Sequence, residues 1–130
     1  MFSVQEQTNM SETEKVQEAI KLYFDSMYES SEEKVRKVFH PSAKITGFMR
    51  GKLLEQSVDQ FAAFVVAQEP SPKEKEDEIL LETLSVDITG ETAVAKVRDG
   101  YIGVVFVDTL SFLKVDGQWV IYNKLFHVES

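Results

Sequence analysis

Residues 102–128 read IGVVFVDTLSFLKVDGQWVIYNKLFHV, and this stretch decides the fold. Asp116-Gly117 marks a hairpin, because a type I′ turn needs two successive residues with positive φ. The strands flanking it are predicted over Ile102–Val115 and Gln118–Val128. Side chains alternate faces along a strand. On the second strand Trp119, Ile121, Asn123, Leu125 and His127 share one face, and Val120, Tyr122, Lys124, Phe126 and Val128 share the other. The first strand behaves alike, with Val104, Phe106, Leu110 and Phe112 opposite Val105, Val107, Leu113 and Val115. An antiparallel sheet usually keeps one face for water, yet neither face here is polar. Helices are expected to cover one face and a second copy of the chain the other, giving a homodimer through the sheet. The alternative is that twist and bulges gather these residues into one core.

Outward from the hairpin, the N-terminal half reads as helices. Ser11 with Glu14 forms a capping box, followed by Val16, Ala19, Ile20, Tyr23, Phe24, Met27 and Tyr28 at helical spacing. Ser30 with Glu33 reads as a second box opening a short helix, which His40-Pro41 ends. A third helix is predicted over Val58–Ala67, with Ser57 and Gln60 as its box. Shorter strands are predicted at Lys44–Met49 and Lys52–Gln56 around Arg50-Gly51, and at Ile79–Ile88 and Thr92–Arg98 around Thr89-Gly90. Helices first and antiparallel strands later indicate an α+β fold.

The chain has 130 residues, the size of one domain, and buries roughly two-thirds of the surface it exposes unfolded. Residues 1–10 read as a flexible segment and 11–130 as the single domain. A composition 43% hydrophobic and 28% charged is that of a globular chain, and the net charge of −8 makes a nucleic-acid partner unexpected. With no cysteine, disulfides, thiolate metal sites and cysteine nucleophiles are excluded. Met1–Met10 shows no leader pattern, and the longest apolar run, Phe61–Ala67, is about a third of a bilayer span. A cytoplasmic protein without a membrane partner is therefore expected.

Several strings carry a family resemblance. Tyr23 near the end of the first helix, VFHPSA over residues 38–43, Gly47, Gly51 and DTLSFLKVDGQWVIYNKLF over residues 108–126 resemble the nuclear transport factor 2-like superfamily. Within it they are most similar to the branch described as putative lumazine-binding proteins. The resemblance implies a cone, with N-terminal helices packed on a strongly curved antiparallel sheet, a pocket between them and dimerisation through the sheet. It also implies a pterin- or flavin-like ligand. Relatives of this fold include ketosteroid isomerase, scytalone dehydratase and polyketide cyclases, which line the cone with acids, bases and tyrosines.

His40 and Asp108 are the candidate catalytic residues. His40 can move protons near neutrality, or it can bond the last carbonyls of its helix. Asp108, inside an apolar strand, reads as a pocket base or as the partner of Lys124 or Arg98 in an ion pair. Lys124 itself either pairs with a carboxylate or reaches the rim, and a Schiff-base role would call for a depressed pKa that sequence does not show. Trp119 with Asn123 and His127 can form a stacking wall with polar handles for a flat heterocycle, or the tryptophan can be core. Tyr23 and Tyr28 read as core residues or as hydroxyls aimed into the cone; Phe48 and Phe61 complete the expected lining. His127 and Glu129 lie two apart, but with two histidines in the chain no metal site is expected, nor any cofactor. Three functions follow in order: binding of a small apolar or aromatic molecule; a cofactor-free isomerase, dehydratase or cyclase; and a dimeric accessory module without ligand.

Overall fold

The computed structural model describes residues 10–129, so the segment expected to be flexible lies outside the described residues save for Met10. The first helix, α1 (Glu12–Tyr28), starts where the capping box places it. Ser11 Oγ accepts from the Glu14 N–H at 3.1 Å, and Glu14 Oε1 accepts from the Ser11 N–H at 2.9 Å. Its inner stripe of Val16, Ala19, Ile20, Tyr23, Phe24 and Met27 is buried. At its end Ser30 takes a left-handed φ of 53°, and the Ser31 N–H reaches back to Ser26 O at 2.9 Å, a Schellman closure. Ser30 is thereby consumed in ending α1. The cap of α2 (Glu32–Val38) is instead Ser31, whose hydroxyl accepts from the Lys34 N–H at 3.1 Å, one residue beyond the expected box.

The hairpin β1 (Phe39–Met49) and β2 (Lys52–Ser57) turns through Arg50 and Gly51, both at positive φ, into α3 (Val58–Val66), which carries the expected Ser57–Gln60 box. The strands β3 (Leu81–Thr89), β4 (Thr92–Tyr101), β5 (Val104–Val115) and β6 (Gln118–Val128) follow as a meander. The order across the sheet is β2-β1-β6-β5-β4-β3. The chain is thus α+β and cone-like, with three helices on a six-stranded sheet among the described residues. One expectation needs correcting: the sheet is mixed, because β1 lies parallel to β6. No tight turn dictates the sense of this pairing, which joins strands from opposite ends of the chain.

The face assignments on β6 also change. Phe112 pairs with Ile121 and Ser111 with Asn123, so Tyr122 is an extra residue, a β-bulge. Tyr122 and Asn123 are both exposed, and alternation resumes one step out of phase. Trp119 and Ile121 before the bulge therefore share the inner face with Lys124 and Phe126 after it. This is the second reading of the two-faced ribbon, a bulge gathering residues of both series into one core. Apolar side chains nevertheless remain on the outer face: Phe48 is 64% exposed, Leu53 63% and Leu125 56%. Among the described residues no helix is long and apolar enough to cross a membrane.

Candidate functional site

β4 continues past the predicted end at Arg98, and its alternation carries Ala93, Ala95, Val97, Asp99 and Tyr101 inward. Across from it β5 turns Phe106, Asp108, Leu110 and Phe112 inward. Val97 pairs with Asp108, so Asp99 is the diagonal neighbour of Asp108 on the same face. The bulge aims Lys124 at the same region from β6. Together with Met27 of α1, Phe61 of α3, Ile45, Phe106 and Phe126, the side chains of Asp99, Tyr101 and Lys124 enclose a cavity of about 70 Å³. Met49, Leu54, Phe64 and Ile102 form its mouth. A cavity of roughly 150 Å³ holds benzene, so this one takes a group of about three or four heavy atoms.

Ile102 reaches the mouth from a strained backbone. It and Gly103 form the β4–β5 turn with φ of 46° and 78°. A β-branched residue is disfavoured at positive φ, whereas asparagine or glycine would sit there without strain.

The polar groups are layered. Tyr23 Oη, fully buried on α1, donates to Asp108 Oδ2 at 2.6 Å. Asp108 Oδ1, both carboxyl oxygens of Asp99 and Tyr101 Oη are buried without a hydrogen-bond partner among the described residues. Burial, and next the Asp108 charge, push the Asp99 carboxyl from 3.8 up to about 9. Asp99 thus stays protonated at neutral pH, beside the charge on Asp108. Burial also raises the hydroxyls of Tyr23 and Tyr101 above their usual range. Lys124 Nζ lies 4.9 Å from the Tyr23 ring centre and 4.7 Å from that of Phe61. No carboxylate among the described residues comes within ion-pair distance of it. The expected ion pair of Asp108 with Lys124 or Arg98 is therefore not formed. Arg98 instead bonds Glu129 Oε1 at 2.8 Å on the outer side.

Of the residues singled out from sequence, Tyr23, Phe61, Asp108 and Lys124 come together here. Tyr28 turns away, its hydroxyl donating to Asp77 O at 2.9 Å. Trp119 is core at the start of α1, donating Nε1–H to Glu12 Oε1 at 3.0 Å. Asn123, His127 and Phe48 face outward, so the expected stacking wall does not form. His40 sits at the start of β1 beside Tyr122, and its Nδ1 accepts from the Ser42 N–H at 3.0 Å. It neither bonds a helix carbonyl nor lines the cavity. Asp99 and Tyr101 were missed, although extending the period-two pattern of Ala93, Ala95 and Val97 would have found both. Among the described residues no three His, Asp or Glu side chains cluster as a metal site would require.

A family model described as putative lumazine-binding matches residues 11–127. A nuclear transport factor 2-like protein of unknown function from Silicibacter pomeroyi is 23% identical, with TM-score 0.82 over 92% of this chain and 100% of that one. A similar protein of unknown function from Shewanella baltica is 24% identical, with TM-score 0.80 over 94% of this chain and 99% of the other. Among curated proteins, Aldolase FrzH of Cladobotryum sp. is 25% identical over 105 residues, 81% of this chain and 82% of its own length.

Proposed function

We propose that this chain, which belongs to the putative lumazine-binding family of nuclear transport factor 2-like proteins, binds a small carbonyl compound in its cavity and moves a proton at the carbon beside the carbonyl. One observation carries the reading. The protonated Asp99, Tyr101 and Lys124 are donors in the wall of a cavity whose other lining, Gln56 apart, is apolar, and for the first two no acceptor is present among the described residues. Such a wall suits an oxygen that gains negative charge as the adjacent C–H bond breaks. Once Asp99 has passed its proton to the substrate oxygen, the aspartate pair can accept the one leaving carbon. The aldolase name of a curated relative fits carbonyl chemistry of this kind. Size limits the ligand: a bicyclic pterin or flavin would insert only its carbonyl edge, leaving its rings in the mouth.

The reading is tested by incubating the protein with acetone in D₂O and following α-proton exchange by NMR. Exchange is expected above the buffer rate, falling about a hundredfold in Asp99→Asn, the usual scale of one acid–base group. Buffer-rate exchange for every short ketone and aldehyde tried would remove the proposal.

The outer face completes the reading as a homodimer in the cytoplasm. Leu125 lies between Thr46 and Thr109, with Phe48 and Leu53 adjoining along β1 and β2, an apolar surface that a copy of itself can cover. Sedimentation at tens of micromolar should show a dimer, and Leu125→Glu a folded monomer. A monomeric wild type would refute the dimer while leaving the cavity argument intact.

A further inference from the structure

We infer that Lys124 is a covalent carbonyl-binding amine, forming an imine with a short aldehyde or ketone held in the cavity. This rests on the carbonyl reading above but goes past proton transfer to a bond between protein and substrate. Lysine is costly to bury, and a structural one repays the cost through a carboxylate. Lys124 is only 6% exposed, yet among the described residues no hydrogen bond or ion pair engages its amine, which rests on the faces of Tyr23 and Phe61. The β6 bulge directs it there. Without the extra Tyr122, residue 124 would fall on the outer face with Tyr122 and Val120. Bulges of this kind re-aim side chains beside functional sites.

The neighbouring groups fit the steps an imine requires. The ammonium first gives its proton to the Asp99–Asp108 pair, freeing the nitrogen lone pair. Nitrogen then bonds to the carbonyl carbon while the carbonyl oxygen takes a proton from the Asp99 carboxyl, giving a carbinolamine. The nitrogen passes a second proton to the aspartate pair, the pair returns one to that hydroxyl, water leaves, and the protonated imine remains. Loss of the α-proton to the aspartate pair yields an enamine, whose carbon can attack a second carbonyl. Water then adds back across C=N, restoring the amine, so one water is released and one consumed per cycle. No oxidant or further reactant is needed. The apolar walls Met27, Ile45, Phe106 and Phe126 slow hydrolysis of the imine before it reacts.

The test is reductive trapping. The full chain is incubated with acetaldehyde or acetone and sodium cyanoborohydride at neutral pH, and alkylated lysines are located by peptide mass mapping. Lys124 should be alkylated about tenfold faster than any of the ten other lysines of the chain, most of which are exposed. This ratio is read on wild-type protein and needs no variant to fold. In Lys124→Arg, which keeps the charge but forms no imine, α-proton exchange should fall to the buffer rate along with trapping. Uniform alkylation of surface lysines would overturn the imine. Exchange that persists in Lys124→Arg and still depends on Asp99 would also overturn it, while leaving the proton-transfer reading standing. Buffer-rate exchange in the wild type together with uniform alkylation would end both.

Discussion

Replacing Asp99 with asparagine should stabilise the protein by about 3 kcal/mol at pH 8, while leaving stability at pH 4 nearly unchanged. The sign comes from proton binding. Asp99 titrates at 3.8 ordinarily and at about 9 in the fold, chiefly because burial penalises its charge. Below about pH 4 both folded and unfolded chains hold the proton, and the shift has no effect. Between about pH 4 and pH 9 the unfolded chain has lost the proton and the folded chain has kept it. Each unit of pH in that window therefore lowers stability, by at most about 1.4 kcal/mol. The charge on Asp108 supplies part of the shift, so the full integral overstates the gain. Asparagine cannot ionise, and its amide N–H can serve Asp108 Oδ1, which has no partner among the described residues. Urea denaturation at the two pH values checks the result. A variant no more stable than wild type at pH 8 would mean that Asp99 is ionised and compensated in the fold, and the donor wall would lose a member. A carboxyl retained at such expense, when asparagine fits the same space, is the mark of a working group rather than a structural one.

How much of this site is legible in sequence depends on how local its determinants are. The capping boxes of α1 and α3 were legible because Ser11–Glu14 and Ser57–Gln60 act across three residues. The Arg50-Gly51 and Asp116-Gly117 turns were legible through glycine at positive φ. The Ile102-Gly103 turn was not, because isoleucine is disfavoured at the positive φ it takes there. Asp108 and Tyr23 stood out as polar groups on apolar faces, but their contact joins residues 85 apart in the chain. The bulge at Tyr122 left no local mark. Strict alternation was the right rule on either side of it and put Lys124 on the wrong face relative to Trp119. That one inserted residue took Asn123 and His127 out of the predicted site and brought Lys124 onto the same inner face as Trp119. His40 failed for a different reason: a histidine before proline has a local use, receiving the Ser42 N–H, that needs no cavity.

Gly47→Ala should destabilise the fold by about 3 kcal/mol, at the upper end of overpacking effects, and close the cavity as well. Gly47 faces Phe126 where β1 runs parallel to β6. A methyl group added there would meet the Phe126 carbonyl oxygen and lie 2.6 and 2.7 Å from two atoms of its ring. Real carbon contacts do not come so close, and the obstacle is partly backbone, which cannot swing aside. The strands must separate or the phenyl ring must turn, and the ring already forms one wall of the cavity beside Lys124. Relief at either point damages the site: separation loosens the one pairing that, among the described residues, joins the β1–β2 hairpin to the rest of the sheet, and rotation fills the cavity. The two routes are separable by a double-mutant cycle with Phe126→Leu. If ring crowding dominates, the second substitution should recover about half of the lost stability, since leucine leaves room that phenylalanine does not. If the carbonyl clash dominates, the two losses should simply add. A Gly47→Ala protein as stable as wild type would contradict the close approach of β1 and β6, and with it the position of Phe126 in the cavity wall.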